Sequence, residues 1–300
     1  MSELASYPDY PFSPKRFDRG KGIGLSYLDE GPAEADPVLM LHGNPSWSYY
    51  WRHLVAGLRD GYRCIVPDHI GMGLSDKPDD SAYTYTLQSR VDDLDRLVAS
   101  LGLTRKITLA VHDWGGMVGF AWALRNPERI ARLVILNTAS FPLPKTKKLP
   151  WQIALGRIPL LGAVLIRGFN FFARGAADLG VLRSIPPASR KALLAPYDSW
   201  TNRRALHRFV QDIPLKPDDA AWSLVQQAEK QLPNYRDCPA FIGWGLQDFV
   251  FDQDFLAHFV KDLPSATQKI YGDAGHYVLE DKHEDLVPAI RQFLDRHPIG

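Results

Sequence analysis

Asp113 occupies the position in the sequence that is best suited to nucleophilic chemistry. It follows a strand-like apolar run, residues 107–111, and precedes a helix-like segment that begins near residue 117. A sharp turn between a strand and a helix exposes its central residue in a strained conformation, so small neighbours are required. Gly115 and Gly116 meet this requirement on the helix side, whereas Val111 stands on the strand side where glycine is usual. We therefore predict that Asp113 is the nucleophile, with a helix-capping aspartate as the alternative.

An aspartate nucleophile limits the chemistry. A carboxylate displaces a leaving group from saturated carbon and forms an alkyl ester, whereas attack on an acyl carbon gives a labile anhydride. The expected substrate therefore carries a halide, an epoxide oxygen or a strained-ring carboxylate on an sp³ carbon.

A base and an acid follow the nucleophile in the chain. His276 comes after a strand-like run, residues 268–271, and before the C-terminal helix, whereas His258, His283 and His297 lie in polar helical contexts. Asp248 follows the strand-like residues 241–244 and completes the order nucleophile, acid, base. The sequence therefore predicts that Asp248 orients the imidazole of His276.

Two residues can supply hydrogen-bond donors to a leaving group or oxyanion. Asn44 follows the strand-like residues 38–41, at the point where a loop commonly supplies a second backbone N–H. Trp114 follows the nucleophile and offers both its backbone N–H and an indole N–H, which donates only. Turn formation by Asn44 and core packing by Trp114 are the alternatives.

The elements that must position these residues alternate between strand and helix. Strand-like runs at residues 38–41, 63–66, 107–111 and 133–136 are joined by helical segments, and a further run lies at 241–244. This alternation predicts an α/β fold with a mostly parallel central sheet and helices on both faces.

Helical segments alone fill residues 141–232, which we call the lid. It is inserted between a first core part, residues 1–140, and a second, residues 233–300. An insertion at this point lies over the carboxyl ends of the strands, where ligands bind in such sheets. We expect the lid to form an apolar chamber, with four candidate substrate-binding residues: Trp151, Phe172, Tyr197 and Trp200.

Composition excludes several other functions. The chain has 300 residues, a net charge of +1 and no long basic block, which argues against a nucleic-acid groove. No metal cluster, phosphate loop or nicotinamide fingerprint is found, so we expect no metal and no cofactor. The cysteines, Cys64 and Cys238, are expected to be reduced core thiols. With no secretory signal, this predicts a cytoplasmic protein.

A transmembrane segment is not expected. The most apolar stretch, residues 151–172, contains Arg157, Pro159 and Arg167. This stretch is a candidate contact for a membrane or a partner enzyme, although packing inside the lid is the commoner fate.

The motifs HGNPSWSYYWR, DHIGMGLSDKP, AVHDWGG, WGLQD and GHYVLEDKHE resemble the haloalkane dehalogenase group of α/β-hydrolase-fold enzymes over nearly the whole chain. The resemblance implies that Asp113 is the nucleophile, His276 the base and Asp248 the acid. It also implies that Asn44 and Trp114 stabilise the leaving group. An acid after the later strand, together with Asn44, resembles the third dehalogenase subfamily.

A narrower resemblance is to the β-lactone decarboxylases of bacterial long-chain olefin biosynthesis. It rests on SYPDYPFSPKRFDRG, IVPDHIGMGLSDKPDD, PYDSWTNR, RFVQDIPL and HYVLEDKHEDLVPAIRQFL. It implies conversion of long-chain, apolar cis-β-lactones to cis-alkenes and CO2, and assembly with other olefin-biosynthesis enzymes. Attack at the alkyl carbon and attack at the lactone carbonyl both remain open, as does the role of His276, since no water need be activated.

Three alternatives follow from the same residues. A haloalkane dehalogenase would hydrolyse an alkyl-Asp113 ester with water activated by His276. An epoxide hydrolase needs acidic donors to protonate the opening ring, and the lid offers only Tyr197. A ligand-sensing relative with a dead site is disfavoured because Asp113, Asp248 and His276 are all intact.

Overall fold

An eight-stranded sheet forms the centre of the computed structural model, which describes residues 7–299. The strands are β1 Lys15–Asp18, β2 Gly24–Glu30, β3 Pro37–Leu41, β4 Arg63–Pro67, β5 Ile107–Asp113, β6 Ile130–Thr138, β7 Ala240–Gly245 and β8 Thr267–Tyr271. Their spatial order is β1-β2-β4-β3-β5-β6-β7-β8. β1 and β2 are antiparallel additions at one edge, whereas β4, β3 and β5 to β8 run parallel. The predicted α/β fold is confirmed.

Between β3 and β5, the sheet changes the side on which successive strands are added. After β3 the chain crosses to β4 on one side, and it then returns to place β5 on the other side of β3. The carboxyl ends of β3 and β5 therefore open into a crevice, which is where ligands bind in open α/β sheets. Both strands are buried along their whole length because helices cover both faces of the sheet.

Among the described residues, five helices belong to the core, and four of them pack as two pairs. α1 Arg52–Leu58 lies against α11 Val278–Arg296, and α2 Leu87–Ser100 lies against α3 Trp114–Ala123. α10 Gln253–Asp262 follows β7. α3 is buried on all sides, which explains why its sequence is apolar all round instead of amphipathic.

The lid contains helical elements and no strand among its residues, all of which are described. They are α4 Trp151–Arg157, α5 Pro159–Gly162, a π-helical segment Ala163–Gly168, α6 Phe171–Leu179, α7 Pro187–Leu194, a short 3-10 helix Ala195–Tyr197, α8 Arg204–Gln211 and α9 Trp222–Gln231. The helix α9 packs on the core helix α3, so the last part of the lid sequence joins the core layer.

Within residues 7–299, no single helix is both long enough and apolar enough to cross a membrane. Taken together, the segments Pro159–Gly168 and Phe171–Leu179 have the length and composition for it, but they are bent by 66° at the break between them.

A buried ion pair ties α8 of the lid to α2 of the core. Arg90 Nη1 lies 2.9 Å from Asp212 Oδ2, and the same oxygen accepts the backbone N–H of Leu87 at 2.6 Å. Burial lowers the pKa of Arg90 and raises that of Asp212, so desolvation disfavours both charged forms. Each residue opposes this effect in the other, because its own charge stabilises the opposite charge of its partner. Removing one member would leave the other buried and unpaired.

We therefore expect Asp212→Ala to reduce the free energy of unfolding by about 3–5 kcal/mol. The double variant Arg90→Met/Asp212→Leu should lose less, because it leaves no unpaired charge. Urea unfolding of both variants beside the wild type measures the difference. Equal losses for the single and the double variant would show that the pair contributes through packing alone.

Candidate active site

The backbone at Asp113 is strained in the way that the sequence predicts. Its φ of 51° lies in the left-handed region, which non-glycine residues rarely adopt. A Cβ at Gly115 would overlap the carbonyl oxygen of Leu41, and one at Gly116 would overlap the side chain of Thr138. The turn therefore admits only glycine at both positions.

Val111 replaces the usual strand-side glycine without a clash because another glycine makes room for it. A Cβ on Gly119 of α3 would come within 2.9 Å of Val111 Cγ1. The departure from the general motif is thus accommodated one helical turn into α3.

Three groups hold the carboxylate of Asp113. The backbone N–H of Asn44 donates to Asp113 Oδ1 at 2.5 Å, and the backbone N–H of Trp114 also donates to the carboxylate. His276 Nε2 lies 3.6 Å from Asp113 Oδ2. Burial raises the pKa of Asp113, while His276 and the two N–H groups act in the opposite direction. Oδ2 is the carboxylate oxygen that lies beside His276 Nε2.

His276 and Asp248 form the second half of the site. His276 Nδ1 lies 2.8 Å from Asp248 Oδ2, and both side chains are buried. Burial by itself lowers the pKa of His276, but the carboxylates of Asp248 and Asp113 outweigh it and raise the pKa. The imidazole is therefore held between two carboxylates and favours its cationic form.

Asn137 has a role that the sequence analysis did not predict. At the end of β6, with φ of 25°, it donates its Nδ2 to Asp248 Oδ2 at 3.1 Å and to the carbonyl of Gly245 at 3.0 Å. Its Oδ1 accepts the N–H of Gly245 at 2.8 Å. Because it fixes the loop that carries Asp248, Asn137 is a positioning residue.

Asn44 and Trp114 both line the cavity beside Asp113. The Nδ2 of Asn44 donates to the carbonyl of Leu206 in α8 at 3.1 Å, which leaves its second amide hydrogen for a ligand. Within residues 7–299, the indole N–H of Trp114 has no hydrogen-bond partner. Both predicted donor residues therefore border the cavity, and the lid holds the side chain of Asn44.

A cation lies behind Trp114, and no local pattern indicated it. The guanidinium of Arg90 stacks on Phe209 at 3.5 Å from the ring centroid and lies 5.6 Å from that of Trp114. Phe209 meets Trp114 edge-on at 5.3 Å. The Arg90–Asp212 pair thus also supports the cavity wall at Trp114.

A cavity of about 440 Å³ extends from Asp113 and His276 into the lid. Apart from these two, Asn44 and Gln152, its wall is apolar, with large contributions from Phe141, Leu155, Ile166, Phe171 and Phe255. Among the described residues, no cluster of His, Cys, Asp and Glu could hold a metal ion.

Of the four lid candidates, two line the cavity and two do not. Trp151 and Phe172 belong to the wall. Tyr197 is buried elsewhere, and its hydroxyl donates to the carbonyl of Ser46 at 3.2 Å. Trp200 lies on the outer surface, where the guanidinium of Arg167 covers its ring at 4.4 Å.

Residues 36–283 match the family model described as the alpha/beta hydrolase fold. A protein of Xanthomonas campestris named cis-3-alkyl-4-alkyloxetan-2-one decarboxylase is 62% identical over 98% of this chain and its own full length. A protein of the same name from Shewanella oneidensis is 52% identical over 95% of this chain and 89% of its own. The crystal structure of haloalkane dehalogenase DbeA from Bradyrhizobium elkani is similar at a TM-score of 0.84 and 26% identity, covering 94% of this chain and 97% of that one.

The close approach of the loop after β3 to the nucleophile generates a test. A Cβ at Gly43 would overlap the carboxylate of Asp113. We expect Gly43→Ala to slow the reaction of Asp113 with an electrophile by about 10²-fold, because a displacement of about 1 Å suffices for that loss. Mass spectrometry of the covalent adduct with a β-lactone or 1-bromobutane, and turnover where it occurs, measures the effect.

Gly272→Ala is the matched control, because its Cβ would meet no atom within 4 Å. Unchanged thermal unfolding of both variants would separate the local effect from misfolding. Wild-type reactivity in Gly43→Ala would contradict the geometry of this loop.

Proposed function

The chain belongs to the family of cis-3-alkyl-4-alkyloxetan-2-one decarboxylases within the α/β-hydrolase fold, and from this premise we propose that it converts cis-β-lactones with two alkyl substituents to cis-alkenes and CO2. This membership confirms the resemblance predicted from the sequence motifs. The observation that carries the proposal is the buried Asp113 carboxylate, which faces an apolar cavity.

The cavity suits the proposed substrate at both ends. Its wall beyond the catalytic groups is apolar, which fits alkyl chains that bury their surface there. The polar lactone ring belongs at the other end, beside Asp113, Asn44 and Trp114. No oxidant, reductant or metal enters the balance of the proposed reaction.

In the first proposed step, Asp113 Oδ2 attacks the saturated, alkyl-bearing ring carbon that is bonded to the ring oxygen. The bond from this carbon to the ring oxygen breaks, and its electron pair makes the released group a carboxylate. The indole N–H of Trp114 and the free amide hydrogen of Asn44 stabilise that carboxylate, since preorganised donors are most effective where charge develops. The Arg90–Asp212 pair packs behind Trp114, with the guanidinium 5.6 Å from the ring centroid of Trp114, and holds this part of the wall in place.

In the second proposed step, the bond to the carboxylate carbon breaks and CO2 leaves. Its electron pair forms the carbon–carbon double bond, while the ester bond to Asp113 breaks and restores the aspartate carboxylate. Inversion in the first step followed by anti elimination converts a cis-lactone to a cis-alkene. The attack at the lactone carbonyl is the rival route.

This route gives His276 an electrostatic role. A cationic imidazole 3.6 Å from Asp113 Oδ2 keeps the nucleophile ionised and stabilises it again when it departs. The elevated pKa of His276 favours this form. A dehalogenase would instead need the neutral imidazole as a base toward water. The epoxide hydrolase alternative lacks support, because Tyr197 lies outside the cavity wall.

We also propose a cytoplasmic location, supported by the free thiols of Cys64 and Cys238. Assembly with other enzymes of olefin biosynthesis is proposed from the resemblance alone.

The first test incubates the purified protein with a cis-β-lactone that bears two long alkyl chains and, separately, with 1-bromobutane. We expect cis-alkene from the lactone, detected by gas chromatography, without bromide release from the haloalkane. Asp113→Asn, which keeps the size of the side chain, should abolish the reaction. Bromide and butanol with unchanged lactone would make the protein a dehalogenase.

Isotope labelling tests the absence of water from the mechanism. After turnover in H2¹⁸O, we expect no ¹⁸O in the Asp113 peptide, because the proposed elimination restores both original carboxylate oxygens. Mass spectrometry of that peptide decides the point. Hydrolysis of an alkyl ester by water attack on the aspartyl carbonyl would place ¹⁸O there and contradict the elimination route.

A further inference from the structure

The outer surface of the lid exposes large apolar side chains around one region, which we call the apolar rim. The side chain of Leu160 is 84% exposed and that of Trp151 is 68% exposed. The rim consists of Trp151, Leu160, Phe169, Phe171, Leu179 and Leu182, each more than half exposed. Trp151, Phe171 and Leu179 border one cavity, and the rings of Phe169 and Phe171 lie 5.9 Å apart, so at least four of the six residues lie close together. Large exposed apolar patches commonly mark interaction sites.

The rim is continuous with the active-site cavity. Trp151, Phe171 and Leu179 are exposed on the outside and also line the cavity that reaches Asp113. A molecule held against the rim therefore lies at the entrance to the cavity.

The charge of this part of the lid indicates the chemistry of the occupant. Residues 141–195 contain nine Lys and Arg but a single acid, Asp178, a net charge of +8 in a chain whose total is +1. Three of the nine bases form ion pairs: Arg190 with Asp178 at 2.6 Å, Arg157 with Asp219 at 3.8 Å, and Lys147 with Asp252. Among the described residues, the other six have no acidic partner within 4.0 Å. Arg174 is exposed and lies three residues after Phe171 on the same face of α6.

We propose that the apolar rim docks on an anionic lipid surface. Exposed aromatic and aliphatic side chains accompanied by basic ones are the signature of segments that lie in a membrane interface. The 66° bend between Pro159–Gly168 and Phe171–Leu179 suits elements that lie on a surface. A second copy of the chain is a poorer occupant, because it would oppose two surfaces of high positive charge.

The benefit of docking rests on the proposed function, because it concerns the delivery of the β-lactone substrate to the active site. A β-lactone with long alkyl chains partitions into lipid, so an entrance facing the lipid receives the substrate without transfer through water. The alkene product, which is apolar, can return by the same path.

Vesicle flotation with the full chain tests the proposal. The probes are vesicles of phosphatidylcholine alone and of phosphatidylcholine with phosphatidylglycerol. We expect binding to the anionic vesicles that weakens with added salt. Leu160→Ser/Phe169→Ser, neither of which lines the cavity, should weaken it at least about tenfold. Ile270→Ser, an exposed apolar residue of β8, is the matched control and should bind like the wild type.

Charge is tested separately. Arg174→Glu/Arg183→Glu should also weaken binding at least about tenfold, since each basic residue near an anionic surface contributes strongly. Lys261→Glu/Arg296→Glu makes the same change of net charge on exposed core helices and should have a small effect. Circular dichroism and thermal unfolding verify that all variants fold.

Equal vesicle binding by the lid variants and their controls would overturn the proposal. It would also be overturned if the wild-type protein does not bind anionic vesicles. If sedimentation shows a wild-type dimer that Leu160→Ser/Phe169→Ser converts to a monomer, and vesicles do not bind, the rim is a self-interface and the proposal fails. Alkene formation from the long-chain cis-β-lactone, dissolved in detergent without vesicles, is measured beside these assays. Its absence would refute the proposed function without affecting the vesicle result.

Discussion

A single buried carboxylate sets the requirements that the rest of the site meets. Asp113 must be ionised to attack carbon, yet its burial raises its pKa and favours the neutral acid. The loop after β3 and the start of α3 supply N–H donors, and the loop after β8 supplies His276. The loop after β7 supplies the acid that holds His276. These segments can meet because the reversal of strand order between β3 and β5 gathers the carboxyl ends of the parallel strands at one place.

Such convergence needs backbone in close contact with backbone, and the glycines allow it. Gly43 lets the donor loop touch the nucleophile, while Gly115 and Gly116 let the start of α3 pass β3 and β6. Gly119 then accommodates Val111, which shows that the space at the turn is shared between neighbours. The strained φ of Asp113 persists because all these contacts over-determine it.

The sequence was sufficient for the features that depend on local pattern and on strand order. Alternating strands and helices predicted the sheet, and chain order predicted that Asp248 and His276 serve Asp113. It did not reveal that Asn137 positions the loop that carries Asp248, because that role depends on which strand lies beside β6. Nor could it place Tyr197 and Trp200, since the faces that lid helices turn inward depend on how they pack on each other.

The same arrangement can serve hydrolysis or elimination, and the leaving group decides which follows. A departing halide leaves an alkyl ester with nothing to expel, so only water can release it. A lactone leaves its carboxylate attached to the neighbouring carbon, and loss of CO2 then supplies the electron pair that expels Asp113. In the proposed mechanism, the carboxylates of Asp248 and Asp113 raise the pKa of His276 and so favour its cation, which stabilises the carboxylate of Asp113 as it departs. The same nucleophile on the same fold thus serves different chemistry according to the substrate it meets.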